Sequence, residues 1–596
     1  MRYRAIPEAL RLRTPSVWYI LFHLSPGRTW YWPPGSISPI AVYMLLMVVV
    51  GVLLSVFNRD DSDFFKSANK MPWWLAGFSL FMSSFSVWTF TGAAGVAYRA
   101  PGAAVAMYLS TAVGMVFGVW FLAGLWRRSR AKTIMSYLSE RYGISTNQTY
   151  SWTLLLAQLV QAGIQLLALG KFVSVAMGTD LNLTVIVCGL VISFYCLIGG
   201  LWAVVVTDTL QFIVLFAGAL VVMFLGLFEI GGLAPLFTKV PEGFWHVRTQ
   251  EFDWSYVLAF GVMMVFAMNS GALSQRYFSV KNEKEARKVA LLTMFLLAMA
   301  PAVWFLPPII TRILGLDLAS ITLGLNAPEE AAYVAFCLHI LPHGAIGIML
   351  AAMLAATMSS LSTVFNAYSA VITEDIIKQI FWRNASPRML LFIGRLTTLA
   401  FGVLVIAAAL AQAKAIGGVF RLMMTYSGVV IIPSGLPIVI GLFYRATPWW
   451  SGIASYLTGV CVGVLFLVLD TDITFTQQVF AIGGVSAVIY FLPGVFVKPK
   501  GKYKQSLDKF FAKLATPVSR QEIGDTQLTD VGSYRITGWA TVGMGAAAAC
   551  LALLDLPWGG RLINLAVGAL IASFGALLLV ACELAARKAD TSPEDE

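Results

Sequence analysis

Charge is what this sequence has least of. Only 12% of its 596 residues are Asp, Glu, Lys or Arg, where an ordinary soluble domain carries about a quarter. With 58% hydrophobic residues and a mean hydropathy of +0.78, the chain is excluded from the ordinary soluble class. Histidine is scarce too, with four in all. No His/Asp/Glu cluster or nucleophile–base arrangement falls inside the apolar runs, which leaves a membrane enzyme without working residues. No CxxC pair occurs among the six cysteines, Cys188, Cys196, Cys337, Cys461, Cys550 and Cys582, all in or beside apolar runs. Buried small hydrophobes describe them better than metal ligands or disulfides. The two-residue alternation of an outer-membrane barrel is missing. The first apolar run, "SVWYILFHL", is too short to span and lacks a small-residue cleavage pattern, so no cleavable signal is expected.

What the chain does have is apolar runs of about twenty residues, the length that crosses a bilayer, along nearly its whole length. The expected fold class is an all-α polytopic membrane protein of about fifteen spans. They lie near 39–57, 73–97, 104–126, 152–177, 183–199, 202–229, 254–275, 288–314, 343–373, 389–413, 417–443, 448–470, 476–497, 536–555 and 561–584. The net charge of +11 sits mostly in loops, where it sets membrane orientation rather than nucleic-acid binding. Three basic stretches, "WRRSRAKTIMSYLSERYG", "QRYFSVKNEKEARKVA" and a Lys-rich linker after 497, fall on one side by counting spans. The positive-inside rule makes that side the cytoplasm. Asp317, Glu329, Glu330, Asp470 and Asp472 fall on the other. Arg2, Arg4, Arg11, Arg13 and Arg28 run against this count, which puts the N-terminus outside. Either that segment lies along the interface or the count errs by one.

The organisation expected is therefore an interfacial or extracytoplasmic segment at 1–38 and a leading span with its loop at 39–72. Two five-span blocks follow at 73–229 and 254–443, joined by an outer loop at 230–253. Two further spans occupy 444–497, a polar cytoplasmic linker 498–535, two C-terminal spans 536–586 and a cytoplasmic tail 587–596.

Polarity concentrates in the ninth span. "AATMSSLSTVFNAYS", Ala355 to Ser369, lies in a run without charge. Ala356, Ser359, Ser360 and Thr363 share one helical face at i, i+3, i+4 and i+7, flanked by Ser362. Neutral oxygens in one stripe suit a hard cation such as Na⁺ without burying a carboxylate. Back-bonding to the preceding turn, or close helix packing, accounts for the same hydroxyls. From this stretch alone both readings stand.

Two other spans are weak helix at membrane depth. The second contains "SSFSVWTFTGAAG", β-branched, hydroxylated and Gly-punctuated, and the seventh contains "AMNSGALSQRY". Transporters with inverted repeats line their binding sites with such paired, broken helices. Each opens a block of five spans, and an odd number of spans inverts the second block relative to the first.

At "GGLWAVVVTDTLQFIVLFAGALVV", Gly199 to Val222, the chain resembles the signature of the sodium:solute symporter family. "MPWWLAGFSLFMSS", "SQRYFSVKNEKEAR", "AAMLAATMSSLSTVFNAYSAVITEDI" and "GLFYRATPWWSGIASYLTGV" match in order and spacing, across roughly residues 39 to 497. The resemblance implies a LeuT-like 5+5 inverted repeat with additional N- and C-terminal transmembrane helices. It also implies Na⁺-driven solute uptake by alternating access. Carried over by position, the common Na⁺ site takes the carbonyls of Met82, Phe85 and Ala356 and the hydroxyls of Ser359 and Ser360. A second Na⁺ site found in some members matches Asp208, Ser359, Ser362 and Thr363. Pairing of Asp208 with a cytoplasmic Arg is the alternative. Gln275 and Arg276 match the inner gate.

The solute pocket is expected beside the Na⁺ site. Its candidates are Ser86, Trp88, Thr89 and Thr91 from the second span, Asn269, Ser270 and Ser274 from the seventh, and Thr425 and Ser427 from the eleventh. A lipid-facing or core Trp is commoner than one that stacks on a solute. Galactose-type members of the family carry a Glu-Gln pair and an aromatic gate where this chain has Trp88-Thr89 and Ala272, which counts against a sugar. Arg421 could attract an anionic solute such as a carboxylate or sialic-acid-like compound, and snorkelling to the outer interface is the bland alternative. His339 and His343, at the outer end of the ninth span, read as interfacial packing.

The expected function is Na⁺-coupled import of a small polar organic solute across the plasma (inner) membrane. The solute is a sugar, amino acid, carboxylate or sialic-acid-like compound, with Na⁺ as the coupling ion. The expected partners are solute, Na⁺ and lipid, with no nucleic acid and no obligate protein. A solute sensor on the same fold is the alternative, against which the short linker and tail, lacking histidine-kinase motifs, weigh.

Overall fold

The structure, a computed structural model, describes residues 71–590 apart from 132, 178, 199–200, 320–326, 342, 383, 414–417, 470–472, 520–521, 523–526 and 554–557. The expected segments at 1–38 and 39–57, Asp470, Asp472 and residues 591–596 lie outside the described residues.

The order is helical from end to end. The first block holds α1 (Trp73–Ser83), α2 (Gly92–Arg99), α3 (Pro101–Ser129), α4 (Ile134–Tyr142), α5 (Ile144–Met177), α6 (Leu181–Ile198) and α7 (Leu201–Ile230). The second holds α8 (Trp254–Asn269), α9 (Gln275–Ser279), α10 (Glu283–Trp304), α11 (Leu306–Leu314), α12 (Ala332–Ile340), α13 (His343–Ala370), α14 (Pro387–Gln412) and α15 (Gly418–Ile440). Beyond them lie α16 (Ser451–Val468), α17 (Phe475–Phe496), α18 (Gly501–Ala515), α19 (Gln527–Cys550) and α20 (Trp558–Asp590). Every expected span from 73–97 onward falls on one of these helices or on a consecutive pair. Among the described residues, ten stretches are long and apolar enough to cross a membrane, or eleven with the bent pair at the start.

Starts and stops follow from the residues. Pro101 and Pro387 begin α3 and α14, where the missing N–H has no partner to lose. Asp253, Asn282 and Thr474 cap α8, α10 and α17 by accepting backbone N–H bonds. Two stops occur where a span should continue. After Ser83 the chain leaves the helix, and the axes of 73–83 and 87–99 differ by 54°. After Asn269 the backbone turns extended at Ser270 and left-handed at Gly271, where φ is +64°, a conformation that glycine adopts without a Cβ clash.

Two expectations need correction, and the linker at 498–535 gains detail: α18 lies inside it and α19 begins within it. Leu507, Phe510, Phe511 and Leu514 recur at helical spacing and bury one face of α18. His339 belongs to the separate helix α12, 3.8 Å from Glu229, not to the end of the ninth span. The ninth span runs past its expected end, because α13 continues as a wider helix over Val371–Phe381.

The basic stretches meet at one end. Arg128 donates to Glu283 at 2.9 Å, Arg130 to Glu522 at 2.7 Å and Lys513 to Glu140 at 2.7 Å. Buried Arg141 donates to the carbonyls of Gly441 and Tyr444, neutralising carbonyls just past the C-terminus of α15. At the opposite end Arg99 lies 3.2 Å from Glu251 and 3.5 Å from Glu329. The C-terminal pair packs through glycine. A Cβ at Gly545 would come 2.6 Å from the Ala572 nitrogen, and one at Gly568 2.6 Å from that of Ala549, the close approach that small residues permit in lipid.

Candidate functional site

The break after α1 is pinned to one face of α13 at both its ends. The hydroxyls of Ser83 and Thr363 hydrogen-bond at 2.8 Å, and the Val87 N–H donates to Thr357 Oγ1 at 3.2 Å. Along α13, Ser359 and Ser360 lie between those two pins. The face legible in the sequence is therefore the face that meets the break.

The polar atoms there are unequally committed. The Met82 carbonyl accepts the Phe85 N–H at 3.1 Å, whereas no described hydrogen bond reaches the Phe85 carbonyl. Ser360 donates to Gln165 Oε1 of α5 and to the Thr357 carbonyl, both at 3.1 Å, which leaves its lone pairs available. Ser359 Oγ is buried beside the Asp208 carboxylate and makes no hydrogen bond of ordinary geometry. A bare carbonyl and two hydroxyls with uncommitted lone pairs fit a small hard cation. Gln165 was not anticipated, although Gln158, Gln161 and Gln165 recur at i, i+3 and i+7 and mark a polar stripe on α5. Gln158 and Gln161 reach Tyr426 of α15.

Deeper in, Asp208 of α7 meets Arg276. Ser79 donates to Asp208 Oδ2 at 2.5 Å, and Arg276 donates to Ser79 at 2.8 Å and lies 3.5 Å from the same carboxylate oxygen. Arg276 also donates to Ser83 at 3.1 Å and to Thr363 at 2.9 Å. The pair is almost fully buried, with side-chain exposures of 1% and 0%. Of the four residues matched to a second Na⁺ site, Asp208 and Thr363 are thus bridged by a guanidinium, and Ser362 bonds back to the Ser359 carbonyl at 3.0 Å. The arginine alternative for Asp208 is the one this structure displays, and its partner is the expected gate residue Arg276. Gln275 beside it is buried, with Oε1 unpartnered.

Most solute candidates are committed locally. Ser86 accepts the Trp88 N–H, Thr91 donates to the Val87 carbonyl, and Thr89 accepts from Tyr108. Ser270 bonds Phe266, and Ser274 bonds Gly271. The Asn269 amide donates to Gly114 of α3 at 3.2 Å and to Val265 at 2.9 Å, so it braces α8 against α3. Such back-bonding satisfies hydroxyls that leave or kink a helix.

The cavity lies toward the end that holds Arg99. It encloses about 570 Å³ and is lined by the outer half of the first break, by α15 and by α17, a volume in the range of small-molecule sites. Thr425 lines it; Ser427, two residues and about 200° further round α15, is buried and not on its wall. Trp88 stacks on Phe420 at 6.0 Å, and Phe420 lines the cavity. Trp88 is therefore neither lipid-facing nor deep core. Arg421 lines the same cavity instead of lying on the membrane face alone.

Known proteins resemble this chain in the same terms. It is 26% identical over 484 residues to mouse solute carrier family 5 member 4B, covering 73% of this chain and 72% of that protein. It is 26% identical to human sodium/myo-inositol cotransporter 2, covering 73% and 70%, and 28% identical to bovine sodium/mannose cotransporter SLC5A10, covering 73% and 79%. A Na⁺-coupled sialic acid symporter, solved substrate-bound and outward-open, superposes with a TM-score of 0.68 at 20% identity. That match covers 78% of this chain and 99% of that one, and it shows a shared fold. The sodium:solute symporter family model matches residues 64–449, more than half of the chain. With a broken helix pinned to a hydroxyl-bearing one, and that match across both, the chain belongs to the sodium:solute symporter family and is a membrane-embedded Na⁺-coupled solute symporter, not an enzyme.

Proposed function

We propose that Na⁺ binds between the first break and α13, held by the carbonyls of Met82, Phe85 and Ala356 and the hydroxyls of Ser359 and Ser360, and that it draws a small polar solute inward with it. The observation that carries this reading is the pinning of both ends of the break to α13, on either side of the buried Ser359 and Ser360 hydroxyls, together with a Phe85 carbonyl that no described group bonds. Ion binding there would join the break to α13 more firmly than the two pins alone do. A cation can shift a conformational equilibrium only by its difference in affinity between the two states. A site made from two separate elements supplies that difference, because moving one element dismantles it.

The driving force is adequate. One charge crossing 100 mV is worth about 2.3 kcal/mol, which concentrates a neutral solute roughly fifty-fold per Na⁺ before the ion gradient is counted. The reading assigns 73–229 and 254–443 to two inverted blocks of five spans, with a leading span at 39–57 in a total of about fifteen. The end where Arg128, Arg130 and Lys513 meet is placed in the cytoplasm, and the membrane is the plasma (inner) membrane. Coupling is to one Na⁺ in the state seen here, since Arg276 lies between Asp208 and Thr363 where a second ion would sit. The relatives named for myo-inositol, mannose and sialic acid support a small, polar, hydroxyl-rich or acidic cargo. Entry is by the cavity that Thr425 lines, with Phe420 on its wall and Trp88 stacked behind it.

The test is uptake into proteoliposomes under an imposed Na⁺ gradient, with the solutes named above as probes. Accumulation that collapses when Na⁺ is equal on both sides is the expected result. Solute binding without flux would instead favour a sensor.

A further inference from the structure

Among the described residues, the outer cavity carries a cation with no partner. Arg99 there is shared between Glu251 and Glu329. Glu330 lies 3.4 Å from Lys171 and accepts the Phe420 N–H at 2.9 Å. Arg421, four residues into α15, lines the cavity with no described ion pair or hydrogen bond. Thr425 follows it by one turn on the same face. Opposite stands Gln478 of α17, whose Nε2 is buried without a hydrogen-bond partner. The Gln478 amide packs over Gly428, where an added Cβ would lie 3.4 Å away, so the glycine gives it room.

We propose that Arg421, Thr425 and Gln478 form a carboxylate-binding subsite in the outer cavity, and that the transported solute is an organic acid. The guanidinium presents two parallel N–H donors that match a carboxylate. Gln478 adds a third donor and Thr425 a hydroxyl able to donate or accept. Aromatic and apolar side chains complete the wall, with Tyr256 packed at a tilt against Phe475, ring centroids 4.6 Å apart, which suits a solute with a carbon body behind its charge. Gln478 lies in α17, outside the two five-span blocks, so a helix accessory to the repeat supplies a specificity residue. Among the described residues, the other cations at this end, Arg99 and Lys171, are already neutralised by Glu251, Glu329 and Glu330. This inference rests on the reading of the cavity as the path of solute entry.

The experiment uses the purified full chain in lipid nanodiscs at saturating Na⁺. Acetate, L-lactate, succinate, glucuronate and N-acetylneuraminate are compared with acetamide, lactamide, glucose and myo-inositol by thermal stabilisation. At least one acid should stabilise the protein while its neutral counterpart does not. Arg421→Gln should weaken that acid at least tenfold, Arg421→Lys several-fold because the charge remains and the fork does not, and Gln478→Leu several-fold. Arg248→Gln, an exposed arginine outside the cavity, should change nothing. Retained acid affinity in Arg421→Gln overturns the proposal, as does stabilisation by neutral polyols alone or by no member of the panel. If Arg421→Gln fails to fold, the Lys and Leu variants decide. Acid binding that persists without any Na⁺ requirement would overturn the Na⁺ site and leave this subsite standing.

Discussion

Two helices break at membrane depth, and they break differently. After Ser83 the chain leaves the Phe85 carbonyl without a described partner, and the two ends of the break bond α13 through Ser83–Thr363 and Val87–Thr357. After Asn269 the chain is tied to its neighbours: the Asn269 carbonyl accepts the Trp126 indole N–H at 3.0 Å, and Ser270 and Ser274 bond back to their own segment, while Asn269 Oδ1 and Gln275 Oε1 stay unpartnered. Both are weak helix by composition. The first break meets a helix rich in hydroxyls, and the second is braced against α3. Polarity in a span says that a helix is interrupted, while the neighbour it meets says what the interruption can do.

Arg276 joins the two, and removing it is expected to have the largest effect. It follows the second break by a few residues, yet donates to Ser79 and Ser83 beside the first and to Thr363 of α13. Arg276→Gln leaves Asp208 buried without its cation, and stripping one partner from a buried pair costs about 3–5 kcal/mol. A large drop in Tm is the expected outcome. Asp208→Asn in the same chain should recover a substantial part of it, because no isolated charge then remains. If the double variant is no more stable than Arg276→Gln alone, the ion pair is not what couples the breaks.

Next come the hydroxyls. Ser360→Ala and Ser359→Ala should each raise the Na⁺ concentration for half-maximal uptake about tenfold, the equivalent of one lost ligand at about 1.4 kcal/mol. Ser369→Ala is the control on the same helix. Its hydroxyl bonds the Gly394 carbonyl at 2.8 Å and Thr397 at 3.2 Å, so its Na⁺ curve should match the parent's. Identical curves for Ser360→Ala and Ser369→Ala would erase the distinction between a site and a brace.

How much of this was legible in the sequence follows from the range of each interaction. The spans could be read from hydrophobic length, and both breaks from local composition, because helix weakness is a property of neighbouring residues. The hydroxyl face of α13 could be read from spacing alone. The commitment of each side chain could not. The contacts of Arg276 with Ser79, Asp208 and Thr363 join residues from four separate helices, and no local pattern encodes which will meet. The solute candidates are illegible for the same reason: a Ser or Thr at a kink looks alike whether it bonds its own turn or a ligand. Gln165 and the buried face of α18 had periodic signals, hidden among polar residues that read as loop or chance.

A subtler probe of the second break is Gly271→Ala. No atom lies within 4 Å of the added Cβ, so the strain comes from the backbone alone at φ +64°. Holding an L-residue there costs about 1 kcal/mol. The Tm should fall by a few degrees and solute turnover should slow, with the Na⁺ half-saturation unmoved. A shift in Na⁺ affinity would mean that the hinge contributes to the ion site after all.

The smallest effect lies outside both breaks, at the basic end. The hydrogen bond from Arg130 holds the Glu522 carboxyl down to about 2 from its ordinary 4.5. A carboxylate more acidic when folded stabilises the fold above its ordinary value, and that contribution disappears as pH falls from about 4.5 toward 2. The pair is largely exposed, so the stabilisation is under about 1 kcal/mol and weakens with salt. Glu522→Gln should therefore lower the Tm slightly at pH 7, and its deficit relative to the parent should shrink on titration below pH 4.5. Na⁺ activation should be identical in the two proteins, since this contact touches neither break. A deficit that stays constant down to pH 3 would show that Glu522 acts through packing, not through charge, in tying the linker to the turn after α3.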